Sequence, residues 1–90
     1  MEEFDMDTIF VFAEGVKTRE EDFGLLVISK TTPALSLNID SKFIWNLIDG
    51  KRSVAGILSV IEDEYEGENL QRRLVDMLLV FQKLGLIQKA

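Results

Sequence analysis

The chain of 90 residues contains no cysteine and no histidine, and its only proline is Pro33. Those absences remove whole classes of chemistry. Without a thiol or an imidazole there is no cysteine nucleophile, no histidine general base, and no Cys/His site for zinc or an iron–sulfur cluster. Carboxylates leave an oxygen-ligand magnesium or calcium site formally open. The acidic stretch "EDEYEGEN", residues 62–69, would be its place, but it lacks the Asp-x-Asn/Asp-x-Asn/Asp-Gly order of a calcium loop. It reads as a solvated face, and neither a metal nor a cofactor is expected. Any apolar run approaching the ~20 residues of a membrane span is missing too. The N-terminus is acidic where a secretory signal would be basic and apolar. With no targeting signal and no cysteine, the expected setting is the cytoplasm.

Basic charge is also scarce. Ten lysines and arginines face sixteen acidic residues, for a net charge of −6 and a pI near 4.5. The acidic excess sits in residues 1–22, which carry eight acidic and two basic side chains, while the centre of the chain is mildly basic. A nucleic-acid binder shows the opposite balance, so duplex DNA is disfavoured as a partner. "GKRS" at residues 50–53 ends like a phosphate loop. Trp45 stands where that loop needs its first glycine, which discards the reading.

What is present has two periods. Residues 1–8 have no pattern and are expected to fray at the start of a single domain covering 1–90. Residues 9–13 ("IFVFA") and 25–29 ("LLVIS") read as strands. Between them "EGVKTREEDFG", polar with a glycine at each end, reads as a loop or irregular hairpin connection. A turn follows around Pro33. In residues 34–39, Leu35, Leu37 and Ile39 alternate with Ala34, Ser36 and Asn38, the pattern of a strand with one buried face.

The second half repeats at helical spacing. Asp40 or Ser41 is placed to cap a short helix with Phe43, Ile44, Leu47 and Ile48 inward, Trp45 packing beside them, and Asp49-Gly50 as its stop. Ser53 caps a helix carrying Val54, Ile57, Leu58 and Ile61. Glu68 or Asn69 opens a third, which ends at Gly85. The expectation is an α+β domain of winged-helix type, a three-stranded antiparallel sheet followed by three helices.

The third helix is apolar beyond what its size requires. Projected at 100° per residue, Leu70, Leu74, Met77, Phe81 and Leu84 form a core stripe with Leu78 at its edge. Arg73, Asp76 and Val80 fall on one flank, and Val75 and Leu79 on the other. Each aliphatic side chain left in water forgoes ~1.5–3 kcal/mol of burial, so a covering partner is a reasonable expectation.

The residues Leu35-Ser36-Leu37-Asn38, Ile44-Trp45, Leu47-Ile48-Asp49-Gly50, Ser53-Val54 and Leu84-Gly85-Leu86-Ile87 resemble the PqqD-like family over roughly residues 22–88. One departure is Gly56, where an acidic residue often stands, so the capping box is lost at up to ~1 kcal/mol. The resemblance implies a non-catalytic peptide chaperone, or RiPP recognition element. Such a module binds the leader of a ribosomally made precursor peptide and delivers it to a modifying enzyme, commonly a radical SAM protein. Pathways of this kind make pyrroloquinoline quinone (PQQ), lasso peptides and radical-SAM-modified peptides. The resemblance further implies that the leader adds as an extra strand beside the third strand, in the groove facing the third helix. The peptide-binding candidates are then Ala34, Leu35, Ser36, Leu37 and Asn38 on the strand, and Arg72, Arg73, Asp76, Met77 and Val80 on the helix. Two alternatives stay open. One is a DNA-binding winged helix reading through "LQRRLVDM". The other is a homodimer or adaptor that pairs through the exposed flank.

Overall fold

The computed structural model describes residues 4–30 and 32–90. Strand β1 spans Phe10–Phe12, β2 Lys17–Glu21, β3 Gly24–Ile28 and β4 Leu35–Leu37. Helices α1 (Ile39–Asn46), α2 (Val54–Glu64) and α3 (Leu70–Lys83) follow, and β5 (Ile87–Lys89) closes the chain. Strands β2, β3 and β4 form a three-stranded antiparallel sheet in that order, and three helices come after it, the α+β arrangement read from the sequence.

The sheet does not contain the strand first assigned to it. Residues 10–12 pair antiparallel with β5, Val11 opposite Gln88, in a separate two-stranded sheet. The third member is instead β2, which lies inside the stretch read as a loop. Its five residues, Lys17 to Glu21, are solvent-facing apart from a half-buried Glu21, so no apolar alternation marked them. Antiparallel pairing with Gly24–Ile28 makes the strand, by satisfying its backbone through β3. A hairpin joining neighbours in sequence is also the shortest connection available.

Three further features differ from expectation. Asn38, not Asp40 or Ser41, caps α1: its Oδ1 accepts the Ser41 N–H at 2.8 Å, and its extended backbone ends the strand one residue after Leu37. Residues 4–8 do not fray, because Phe4 is buried edge-on against Phe10 with ring centroids 5.0 Å apart. The Met6 and Thr8 carbonyls also accept the first free N–H groups of α2, from Ala55 and Val54, at 2.9 Å each. Residues 1–3, also expected to fray, and Thr31 in the expected turn lie outside the described residues. The short β5 was not expected; it forms where the chain turns back after α3. There Leu86 N–H donates to Phe81 and Gly85 N–H to Gln82, the paired bonds that close a helix on a left-handed glycine.

Other local readings hold. Ser53 caps α2, its Oγ accepting the Gly56 N–H at 3.2 Å even without the capping box, and Val54, Ile57, Leu58 and Ile61 are that helix's buried residues. Trp45 is a core residue, stacked on Phe12 at 4.6 Å and edge-on to Phe81 at 5.1 Å. The buried line of α3 is Leu74, Leu78 and Phe81, so the helix is rolled toward Leu78 relative to the projected stripe. Leu70, Met77 and Leu84 become one half-buried margin, while Val75 and Leu79 are half-buried on the other.

The turn between α1 and α2 is organised by Asp49. One oxygen accepts the Lys51 and Arg52 N–H groups at 2.9 and 2.8 Å, and the other pairs with the Arg52 guanidinium at 2.8 Å. The Arg52 and Lys51 N–H bonds, with the Arg52 charge, hold its carboxyl below the ordinary aspartate value of 3.8. A carboxylate whose folded pKa is depressed adds stability above its unfolded pKa and loses it as pH falls through the folded one. Asp49→Asn should therefore narrow its stability gap to the wild type as pH drops from 5 to 2, read from urea midpoints across that range. A pH-independent gap would show that the carboxylate charge plays no part.

Candidate functional site

The three-stranded sheet has two outer strands, and they differ in chemistry. The β2 edge carries Lys17, Arg19, Glu20 and Glu21, with Arg19 paired to Glu21 at 2.6 Å and Glu20 to Lys42 at 2.7 Å. Charge of this density is the usual protection of an edge against further pairing. The β4 edge, Leu35-Ser36-Leu37, has none, and no strand pairs with its outer side among the described residues. Leu37 points into the core, Leu35 is half-buried, and Ala34, Ser36 and Asn38 are exposed. What this strand offers outward is its backbone.

The placement of β4 depends on Gly24. A Cβ on that residue would lie 2.1 Å from the Leu37 carbonyl oxygen and 2.8 Å from the Asn38 carbonyl carbon. Its φ of +147° is open to glycine almost alone. The backbone at the end of β4 therefore lies directly against Gly24 at the start of β3, and Asn38 is set down at the first turn of α1.

From Asn38 a cleft of about 250 Å³ opens between α1 and α3. Phe43, Ile44, Ile61, Leu70, Leu74 and Met77 supply its apolar lining, and Asp40, Ser41, Tyr65 and Arg73 its polar groups. At one end the Tyr65 ring meets Phe43 edge-on at 5.3 Å, with the Asp40 carboxylate near its hydroxyl. Burial pushes the Tyr65 phenol above its ordinary value of 10.0, and the nearby Asp40 and Glu64 charges add to the shift. Arg73 makes no ion pair among the described residues. Val80 is 47% exposed, and its spacing of seven from Arg73 and three from Met77 keeps it on the same flank of α3.

Of the ten peptide-binding candidates, the structure brings Asn38, Arg73 and Met77 to this one cleft, with β4 leading into it and Val80 beyond it. Arg72 and Asp76 are elsewhere. They line a second, more open cleft of about 490 Å³ with Phe4, Asn69, Gln71, Val75 and Leu79. The projection put Asp76 with Arg73 and Val80. Because α3 is rolled toward Leu78, Asp76 faces away from the core and joins Arg72 instead. The same roll separates Arg72 from Arg73, so the only consecutive arginines line different clefts rather than one basic stripe. Sequence reasoning missed Phe43, Ile44 and Tyr65 as cleft residues. The first two were legible only as helix-packing positions, and Tyr65 sits in the acidic connection after α2, where nothing in the pattern marks a site.

Among the described residues no cluster of carboxylates is arranged to hold a metal ion, and no helix is long and apolar enough to cross a membrane. The sequence profile of the family described as coenzyme PQQ synthesis protein D (PqqD) matches residues 25–87, well over half of the chain. The chain belongs to the PqqD family. That family is a non-catalytic, chaperone-like partner of peptide modification in PQQ and RiPP biosynthesis. The matched span runs from β3 through α3 to the first residue of β5, so it contains the β4 edge and the cleft. No curated protein and no solved structure gives a significant match.

Proposed function

We propose that this PqqD-family chain, acting as one domain over residues 1–90, binds the leader segment of a ribosomally synthesised precursor peptide and delivers it to a modifying enzyme. The leader is bound by strand addition, and the enzyme is of the radical SAM kind. One observation carries the reading: the uncharged free edge of β4 leads directly into an apolar cleft, while the opposite sheet edge is guarded by charge. Backbone hydrogen bonds along β4 would supply affinity and fix the strand, and the cleft would receive alternate side chains and so choose among partners. Ala34, Ser36 and Asn38 keep their side chains out of the core, so an added strand meets no clash with the buried face. The chain itself performs no chemistry in this scheme, and the cytoplasm, where precursor peptides are made, is the compartment it fits.

The test is an amide-shift titration with the leader of the chain's cognate precursor peptide. Shifts should cluster at residues 34–38 and along Arg73, Met77 and Val80. A cognate leader at high micromolar concentration that moves neither set would sink the proposal. Val80→Asp gives a second check. Because Val80 is nearly half exposed, its replacement should cost less than about 1 kcal/mol of stability. Leader affinity should fall about tenfold, since a carboxylate would stand in the path of the apolar face of the peptide. A large loss of thermal stability with unchanged affinity would return Val80 to a packing role.

A further inference from the structure

The cleft also constrains which segment fits it, on the strand-addition reading above. Arg73 and Met77 lie one helical turn apart on the same flank of α3, a rise of about 6 Å. Side chains on one face of an extended strand recur every second residue, about 6.6–6.8 Å apart. A strand laid along this flank therefore presents residue i to Arg73 and residue i+2, in either chain direction, to Met77. The two seats differ in chemistry. Met77 with Leu74 and Ile44 is apolar. Arg73 is a guanidinium at the cleft with no ion pair among the described residues. The other charged group of the cleft among the described residues, Asp40, lies in the first turn of α1 near the Tyr65 hydroxyl.

From this spacing we infer that the segment this groove selects carries an acidic residue two positions from an apolar one, the acid on Arg73 and the apolar side chain against Leu74 and Met77. The net charge of −6 does not cancel the preference. At physiological salt, exposed charges beyond about 8 Å are largely screened, whereas a carboxylate on Arg73 makes a direct, charge-assisted contact. The same net charge makes acids elsewhere in the segment unhelpful, so the preference is tied to one position.

Selection from a displayed library of random heptapeptides, on the wild type and on Arg73→Glu, tests this. Arg73 is exposed, so the variant should keep its helical signal and melting temperature. Wild type should enrich acid-x-apolar sequences about tenfold over those with a neutral residue at the acidic position. Arg73→Glu should lose that enrichment and favour lysine or arginine there. Peptides that shift the amides of residues 34–38 yet show no acid at this spacing, or keep it against Arg73→Glu, would overturn the inference and leave strand addition standing. Absence of any enrichment, or enriched peptides that leave those amides unmoved, would overturn strand addition itself and this inference with it.

Discussion

Gly24→Ala is expected to cost about 3–5 kcal/mol and to lower the melting temperature by about 15–30 °C, a loss large enough to leave much of the protein unfolded at 37 °C. Two independent penalties combine. The φ of +147° is one that a residue with a Cβ adopts only at about 1–3 kcal/mol. The added methyl would also lie 2.1 Å from the Leu37 carbonyl oxygen, a backbone atom with no rotamer to move to. Overpacking of that kind adds about 1–3 kcal/mol. Relief requires β4 to slide away from β3, which would also move Asn38 and unseat the cap of α1. Residual folded protein should therefore bind leader poorly even where stability is restored by osmolyte. The comparison is Gly15→Ala, which shares a positive φ but has only the far end of Lys30 nearby, at 3.8 Å. Its effect should be confined to the backbone strain. Equal melting temperatures for the two variants would remove Gly24 from the account of how β4 is placed.

Met77→Asp should abolish leader binding, with an affinity loss on the order of a hundredfold or more. Met77 is half-buried at the cleft, beside Leu74, Ile44 and Phe43. A carboxylate there must be covered by the incoming strand, and a charge buried without a fitted partner costs several kcal/mol. It would also sit four residues from Arg73, close enough to neutralise that cation, which makes no ion pair among the described residues. The fold should survive, because Leu74, Leu78 and Phe81, not Met77, form the buried line of α3. Met77→Leu, which preserves volume and apolarity, should bind within about threefold of the wild type. Titration calorimetry with the cognate leader, alongside melting curves, separates the outcomes. Retained binding by Met77→Asp would show that the peptide passes elsewhere, with the Phe4–Val75–Leu79 cleft as the next surface to examine.

The two halves of the chain were legible to different degrees. Helices α2 and α3 repeat a local pattern strongly enough to be read directly: Ser53 as cap, Val54, Ile57, Leu58 and Ile61 as the buried face, Gly85 as the stop. The strands were harder. Residues 10–12 are β-branched and aromatic because they are strand, but nothing in them says that β5, more than seventy residues away, is their partner. Residues 17–21 carry no pattern because almost nothing of β2 is buried. The rotation of α3 was the consequential miss. A projection finds the apolar arc, but the true centre of burial depends on what the neighbouring elements press against, and a modest roll moved Asp76 from one cleft to the other.

By itself the sequence determined the classes of chemistry available, through the absence of cysteine and histidine, and the helical half of the fold, through spacing that acts within a few turns. It also carried the apolar and D-G pattern that places the chain in the PqqD family. Tertiary structure alone decided which strands share a sheet, which edge stays open, and which side of α3 faces the cleft with Asn38. Those are pairings between distant segments, set by backbone hydrogen bonds and by the fit of Gly24 beneath Leu37 rather than by side-chain periodicity.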